Sequence, residues 1–181
     1  MTILNGYATL AQVKNYLRIV SVDSTDDTVI EDLVEKTSRL IDRHTGRQFF
    51  ASTATRVFTA QESSRVALSS NDLLTVSSLK TDLDGDRVYE TTLTAGTDYD
   101  LYPLNLPPYS EIKIAPLSVH YFSLWAKGIE IVGTWGYTAT APEDIEYACL
   151  VLTEMAYKER FIFPKMTDEV SERLNVYRRI T

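Results

Sequence analysis

The feature that most constrains this chain is a switch in hydrophobic period that happens twice. Near both ends apolar residues recur at helical spacing, whereas between them β-branched and aromatic residues come in short alternating runs broken by turn formers. A helix buries a stripe and a strand buries a face, so the two kinds of segment need different packing partners. The pattern therefore predicts an α+β fold, with a small helical core built from the N- and C-terminal helices and an antiparallel β sub-domain inserted between them. The boundaries fall at residues 1–50, 51–138 and 139–181, the first and last packing as one domain.

At the start, Thr9 followed by Gln12 reads as a capping box that opens a short helix. Leu10, Val13 and Leu17 give it an apolar stripe, and it should end near Arg18 or Ile19. A longer helix follows, with Asp26 and Asp27 in its first turn, where the helix dipole favours acids. Ile30, Leu33, Thr37, Leu40 and Ile41 form its buried face, Asp32/Lys36 and Glu35/Arg39 are spaced for surface ion pairs, and Gly46 supplies a left-handed stop.

Strands are expected at Thr55–Thr59, Arg65–Leu68, Thr75–Leu79, Val88–Leu93, Tyr99–Tyr102, Ile112–Ile114 and Ile129–Trp135. Asp84-Gly85 marks a hairpin, and Pro103 to Ser110, with Pro107 and Pro108, reads as a loop. Helix returns with Pro142 at its first position and Ile145, Ala148, Cys149, Leu152 and Ala156 on one face, running to about Arg160. Pro164 breaks the chain before a last amphipathic segment with Val170, Leu174 and Tyr177.

The 181 residues, 44% of them hydrophobic, suffice for a core that hides roughly 70% of the unfolded surface. The lone Cys149 excludes an internal disulfide and fits a reducing cytoplasm. No segment approaches the roughly 18 consecutive apolar residues of a membrane helix, and no signal peptide is visible, so a soluble protein without membrane contact is expected. A net charge of −7 argues against broad attraction to nucleic acid. Arg173, Arg178 and Arg179 form only a small basic patch.

Catalytic groups are sparse. His44 falls at the C-terminal end of the second helix, where an imidazolium would be favoured as a cap, and His120 lies in an aromatic run with Tyr121, Phe122 and Trp125. Cys149 sits on the apolar face of a helix interior, the place of a core residue. The nucleophile-elbow, phosphate-loop, zinc-protease and paired-cysteine motifs are absent. No catalytic, cofactor or metal residue is therefore assigned. Asp82, Asp84 and Asp86 around Gly85 have part of a calcium-loop pattern, but Arg87 and Leu93 stand where such a loop needs Gly and Glu. Two other functions have specific residues behind them. Asp100 with Glu111-Ile112-Lys113 has the form of the acid and E-x-K pair of Mg²⁺-dependent restriction-type nucleases. Tyr99, Tyr102, Tyr109, Trp125, Trp135 and Tyr137 could stack on sugars in a glycan-binding module of a virion.

Two stretches, taken in order, carry a resemblance. The first is Leu10, Val13-Lys14, Tyr16-Leu17-Arg18-Ile19, Asp26-Asp27, Ile30, Leu33, Ser38, Ile41, Thr45-Gly46-Arg47 and Phe49. The second is Gly128 to Tyr137, with Gly133-Thr134-Trp135-Gly136-Tyr137, then Ala141-Pro142-Glu143-Asp144-Ile145, Ala148 and Arg160, closing on Leu174, Tyr177, Arg178 and Arg179. Together they resemble the head-to-tail adaptor (connector) proteins of tailed bacteriophages, with residues 51–127 as a variable insertion. The resemblance implies a structural, non-enzymatic ring homo-oligomer, in that family usually a dodecamer. It implies docking on the portal protein, a stopper or tail-completion protein below, DNA passing through the channel without specific binding, and a place in the virion neck after synthesis in the host bacterial cytoplasm. Twelve copies would carry a formal charge on the order of −80, and acids lining the channel would keep DNA from adhering. Arg173, Tyr177, Arg178 and Arg179 are the candidates for portal contact, because an aromatic beside guanidiniums suits an interface.

Overall fold

The computed structural model describes residues 3–69, 71–159 and 166–179. Among them lie helices α1 (Leu10–Leu17), α2 (Asp27–Thr45), α3 (Glu143–Lys158) and α4 (Asp168–Asn175), and strands β1 (Ser52–Phe58), β2 (Arg65–Ala67), β3 (Leu73–Thr81), β4 (Thr91–Leu93), β5 (Tyr99–Tyr102), β6 (Glu111–Ile114) and β7 (Ile129–Trp135). The chain divides into two compact units, Met1–Phe50 with Thr140–Thr181, and Ala51–Ala139. This is an α+β fold in which the terminal helices pack together and antiparallel sheets are inserted between them.

In the helical unit, the Thr9 hydroxyl accepts from the Gln12 amide at 3.2 Å while Thr9 N donates to Gln12 Oε1 at 2.7 Å, closing the capping box that opens α1. Arg18 ends α1 in the left-handed conformation. Gly46, at φ +69°, does the same for α2 and donates to the Asp42 carbonyl at 2.8 Å. The buried stripe of α2, with Ile30, Leu33, Val34 and Ile41, packs with Ile145, Ala148, Cys149, Leu152 and Ala156 of α3. Each of the Ile, Leu and Val side chains contributes about 1.5–3 kcal/mol by leaving water. Small polar residues lie in the same seam. Thr37 and Ser38 donate to the Leu33 and Val34 carbonyls at 2.9 and 2.7 Å, and Thr37 Oγ1 meets Thr153 Oγ1 at 2.9 Å, so no hydroxyl is buried without a partner there.

Two local expectations change. Pro142 precedes α3 in extended backbone instead of opening it, and α3 ends at Lys158. Arg160 and Pro164 lie outside the described residues. Asp32 and Lys36 pair at 2.6 Å, but Glu35 does not reach Arg39. The Glu35 carboxylate instead accepts the backbone amides of Leu4 and Asn5, at 2.5 and 2.9 Å. Arg39 turns to Asp42 at 3.2 Å and lies over the rings of Tyr7 and Phe50. Charge-assisted bonds to amides outcompete an exposed ion pair.

In the β unit, one sheet has the order β1-β7-β3-β4 and the other β2-β6-β5, every pair antiparallel. Burial alternates strictly along β7, so Ile129, Ile131 and Trp135 face the core with Leu73, Leu79, Leu93, Ile112 and Phe122. Gly133 shares that face because β3 crosses too closely for a side chain: a Cβ there would lie 2.3 Å from the Thr75 carbonyl oxygen, beside the register shifts of the β3–β7 pair.

The expected hairpin at Asp84-Gly85 is a longer connection, residues 82–90 between β3 and β4. Asp82 accepts the amides of Gly85 and Arg87 at 2.7 and 3.0 Å, and Asp86 accepts that of Val88 at 2.7 Å. These local bonds compete with the ladder and delay β4 to Thr91.

Candidate interaction surfaces

The C-terminal patch is assembled by α4 and the turn after it. Thr167 caps α4, its hydroxyl accepting from Val170 N at 3.4 Å, while Val170 and Leu174 anchor the helix inward. Arg173 lies over the Tyr147 ring at 4.7 Å and reaches Asp144 and Glu169 at 3.5 and 4.0 Å. Tyr177 is half-buried. Its ring meets Phe49 edge-on at 5.6 Å, its hydroxyl donates to Asp144 at 3.3 Å, and its carbonyl accepts from Arg47 Nε at 2.8 Å. Arg179 N donates to the Thr45 carbonyl at 2.9 Å, which lays the tail against the end of α2, and Arg178 is exposed. The four candidates thus share one end of the helical unit, but Tyr177 holds the fold together there while Arg178 faces water.

His44 joins the same end, with Nε2 at 3.5 Å from Ser171 Oγ. The expectation of a favoured imidazolium is reversed. Burial and the nearby Arg178 guanidinium hold its pKa below the ordinary imidazole value, outweighing the helix terminus. Cys149 is fully buried in the α2–α3 seam, and burial pushes its thiol up, away from the reactive thiolate. Sequence reasoning passed over Tyr7, whose hydroxyl donates to Asp42 and accepts the Phe49 amide at 2.9 Å. Burial, then the Asp42 carboxylate, pushes its pKa well up.

On the β unit, Glu111 pairs with Arg65 at 2.6 Å and stands 3.7 Å from Lys113, whose ammonium lies over the Tyr102 ring. Asp100 faces Lys113 across the β5–β6 pair. The Glu111 carboxylate therefore already has a guanidinium where a nuclease would hold Mg²⁺. His120 Nε2 is 3.9 Å from Asp98, a carboxylate that accepts Thr94 N at 2.8 Å and the Ser118 hydroxyl at 3.1 Å. The Thr94 amide, then the Ser118 hydroxyl and the charge of His120, prevail over burial and hold Asp98 below the usual carboxylate range.

The proposed sugar-stacking aromatics are divided. Trp135 and Tyr99 are in the core, the Trp135 indole donating to the Ala54 carbonyl at 2.8 Å, whereas Trp125 is exposed. Asp82, Asp84, Asp86 and Glu90 bring carboxylate oxygens within 4.8 Å of one another. Only Asp82 is buried. Burial opposes its charge, but the amides of Gly85, Arg87 and Asp84 outweigh that and keep it ionised below the usual range. Among the described residues no helix is long and apolar enough to cross a membrane.

A helical unit closed by both termini and carrying an antiparallel β insertion defines the class of fold. Three solved chains share it over the full length of this chain. A chain in the neck of an empty gene transfer agent particle, computed with C6 symmetry, has 17% identity and a TM-score of 0.72, covering 100% of this chain and 94% of that one. A chain in the neck of the native particle, computed with C12 symmetry, has 16% identity and a TM-score of 0.69 over 100% and 93%. One from the virion of the native particle has 17% and 0.70 over 100% and 94%. At that identity the likeness is one of fold. No family profile matches the sequence, and no curated protein does.

Proposed function

We propose that this protein is a structural subunit of the neck of a tailed-phage-like particle, a head-to-tail adaptor that forms a ring, docks on the portal protein, and receives the stopper or tail-completion protein while DNA passes through. The observation that carries this reading is the reach of the structural likeness. It takes in the helical unit and the β insertion alike, at 100% of this chain and 94% of a chain from a particle neck. The neck structures were computed with C6 and C12 symmetry, which supports a ring, with twelve subunits as the number proposed. A non-enzymatic role is consistent with Cys149 sealed in a core and with Glu111 ion-paired to Arg65.

The portal-facing patch on this reading is the end of the helical unit that presents Arg173, Arg178 and Arg179, with Tyr177 holding the tail in place. Guanidiniums on a packed support suit a carboxylate-bearing partner surface. The test is co-sedimentation of the protein with purified portal rings, alongside an Arg178→Glu/Arg179→Glu variant. The wild type should travel with the portal and the variant should bind at least about tenfold more weakly, as expected when interfacial charge pairs become repulsive. Equal binding by the variant would remove the patch from the account, and a wild type left at the top of the gradient would remove the docking itself.

A further inference from the structure

The segment between β6 and β7, residues 115–128, contains neither helix nor strand, yet its stretch 122–127 is pinned to the rest of the β unit. Phe122 N donates to the Ser63 carbonyl at 2.7 Å, Ser123 N to Thr81 Oγ1 at 3.1 Å, Lys127 N to Thr59 Oγ1 at 2.9 Å, and the Tyr89 hydroxyl to the Lys127 carbonyl at 3.0 Å. Phe122 is fully buried and acts as the anchor. Its neighbours are held the other way: Tyr121, Leu124 and Trp125 are 52%, 61% and 57% exposed. A loop fixed this firmly with bulky apolar groups aimed outward carries a surface that folding alone does not require. With Leu83 these side chains line an open groove of about 380 Å³.

The groove and the acidic connection 82–90 are one structure. The Trp125 indole lies on Gly85, where a Cβ would come within 3.0 Å of the ring, and its Nε1 donates to the Leu83 carbonyl at 3.3 Å. Gly85 holds φ +87°, so the turn can present its carboxylates while passing under the indole. Asp84, Asp86 and Glu90 are exposed, and among the described residues no Lys or Arg forms an ion pair with them. An apolar groove thus carries an uncompensated anionic rim.

We infer that this groove is a docking site for a segment of a partner protein that carries an Arg or Lys beside a bulky apolar side chain. The apolar group fills the space between Leu83, Tyr121 and Leu124, and the cation meets the carboxylates and the exposed indole face. A second copy of the chain meeting this one through the same face is the poorer occupant, because it would set two anionic rims against each other. The inference stands independently of the neck reading.

The experiment is selection of a random dodecapeptide library on the immobilised full-length protein, followed by titration of the selected synthetic peptides. Binding is read by NMR at the indole N–H signals of the two tryptophans. Selected peptides should place Arg or Lys next to Leu, Phe or Trp and should move the Trp125 signal while leaving that of buried Trp135. Replacing the exposed rim by Asp84→Asn/Asp86→Asn/Glu90→Gln should weaken binding at least about tenfold, and added salt should do likewise. The unshifted Trp135 signal reports that the variant is folded. Selection of uncharged peptides, equal affinity for the variant, or no selected peptide at all overturns the inference. So does a Trp125 signal that moves with protein concentration alone, which marks a second copy, or with calcium chloride alone, which marks a cation site.

Discussion

Phe49 ties the end of α2 to the C-terminal tail, so its removal tests how the helical unit is closed. The ring is fully buried and is met edge-on by Tyr7 at 5.7 Å and by Tyr177 at 5.6 Å. Truncation to alanine in a packed core costs about 3–5 kcal/mol, and the loss of two aromatic pairs puts Phe49→Ala at the upper end, about 4–5 kcal/mol. Phe49→Leu keeps most of the volume and should lose about 1–2 kcal/mol. With a urea slope of about 2 kcal/mol/M, the alanine variant should shift the far-UV circular dichroism midpoint by about 2 M. Both tryptophans belong to the β unit, which makes their emission a separate probe of that unit in the same titration. A loss under about 1 kcal/mol for Phe49→Ala would refute the claim that the tail is locked onto α2 through this ring.

Three further outcomes follow from the geometry. Gly133→Ala should destabilise the β unit by at least about 2 kcal/mol, because the added Cβ meets the Thr75 carbonyl oxygen at 2.3 Å; an unchanged thermal midpoint of tryptophan emission would contradict that crossing. Thr9→Ala should cost about 1 kcal/mol by circular dichroism, since the hydroxyl arm of the α1 capping box is lost while the Thr9 N–H still reaches Gln12 Oε1, and a neutral substitution would mean the hydroxyl arm is not formed in solution. Asp98 has a native pKa below its unfolded value of about 3.9, so its charged form stabilises the fold above that pH and the contribution is lost as acid takes the pH through the native value. Asp98→Asn should therefore weaken the protein at neutral pH and flatten the fall of its urea midpoint in acid. Equal slopes for the two proteins would count against the role of the Thr94 and Ser118 bonds.

Periodicity alone carried most of the fold. The capping box at Thr9, the glycine stop at Gly46, and the strands Tyr99–Tyr102 and Ile129–Trp135 lie where local chemistry puts them, because each depends on neighbours within a few residues. What the sequence hid depends on distant partners. Glu35 abandons its helical neighbour Arg39 for amides far back in the chain, and the imidazolium expected at His44 is opposed by burial and by Arg178. Of the portal candidates, Tyr177 could not be told from an interface aromatic until Phe49 and Arg47 were placed against it. The groove at Trp125 was least legible. Its apolar residues show no period, and only the loop's pins reveal that Phe122 points in while Tyr121, Leu124 and Trp125 point out.

The adaptor account meets its most direct test in electron microscopy of the full-length protein mixed with portal rings. It predicts a collar of density at one end of each portal, with rotational symmetry and a continuous central channel wide enough for duplex DNA. Bare portals in the presence of excess, folded, unassembled protein would contradict it.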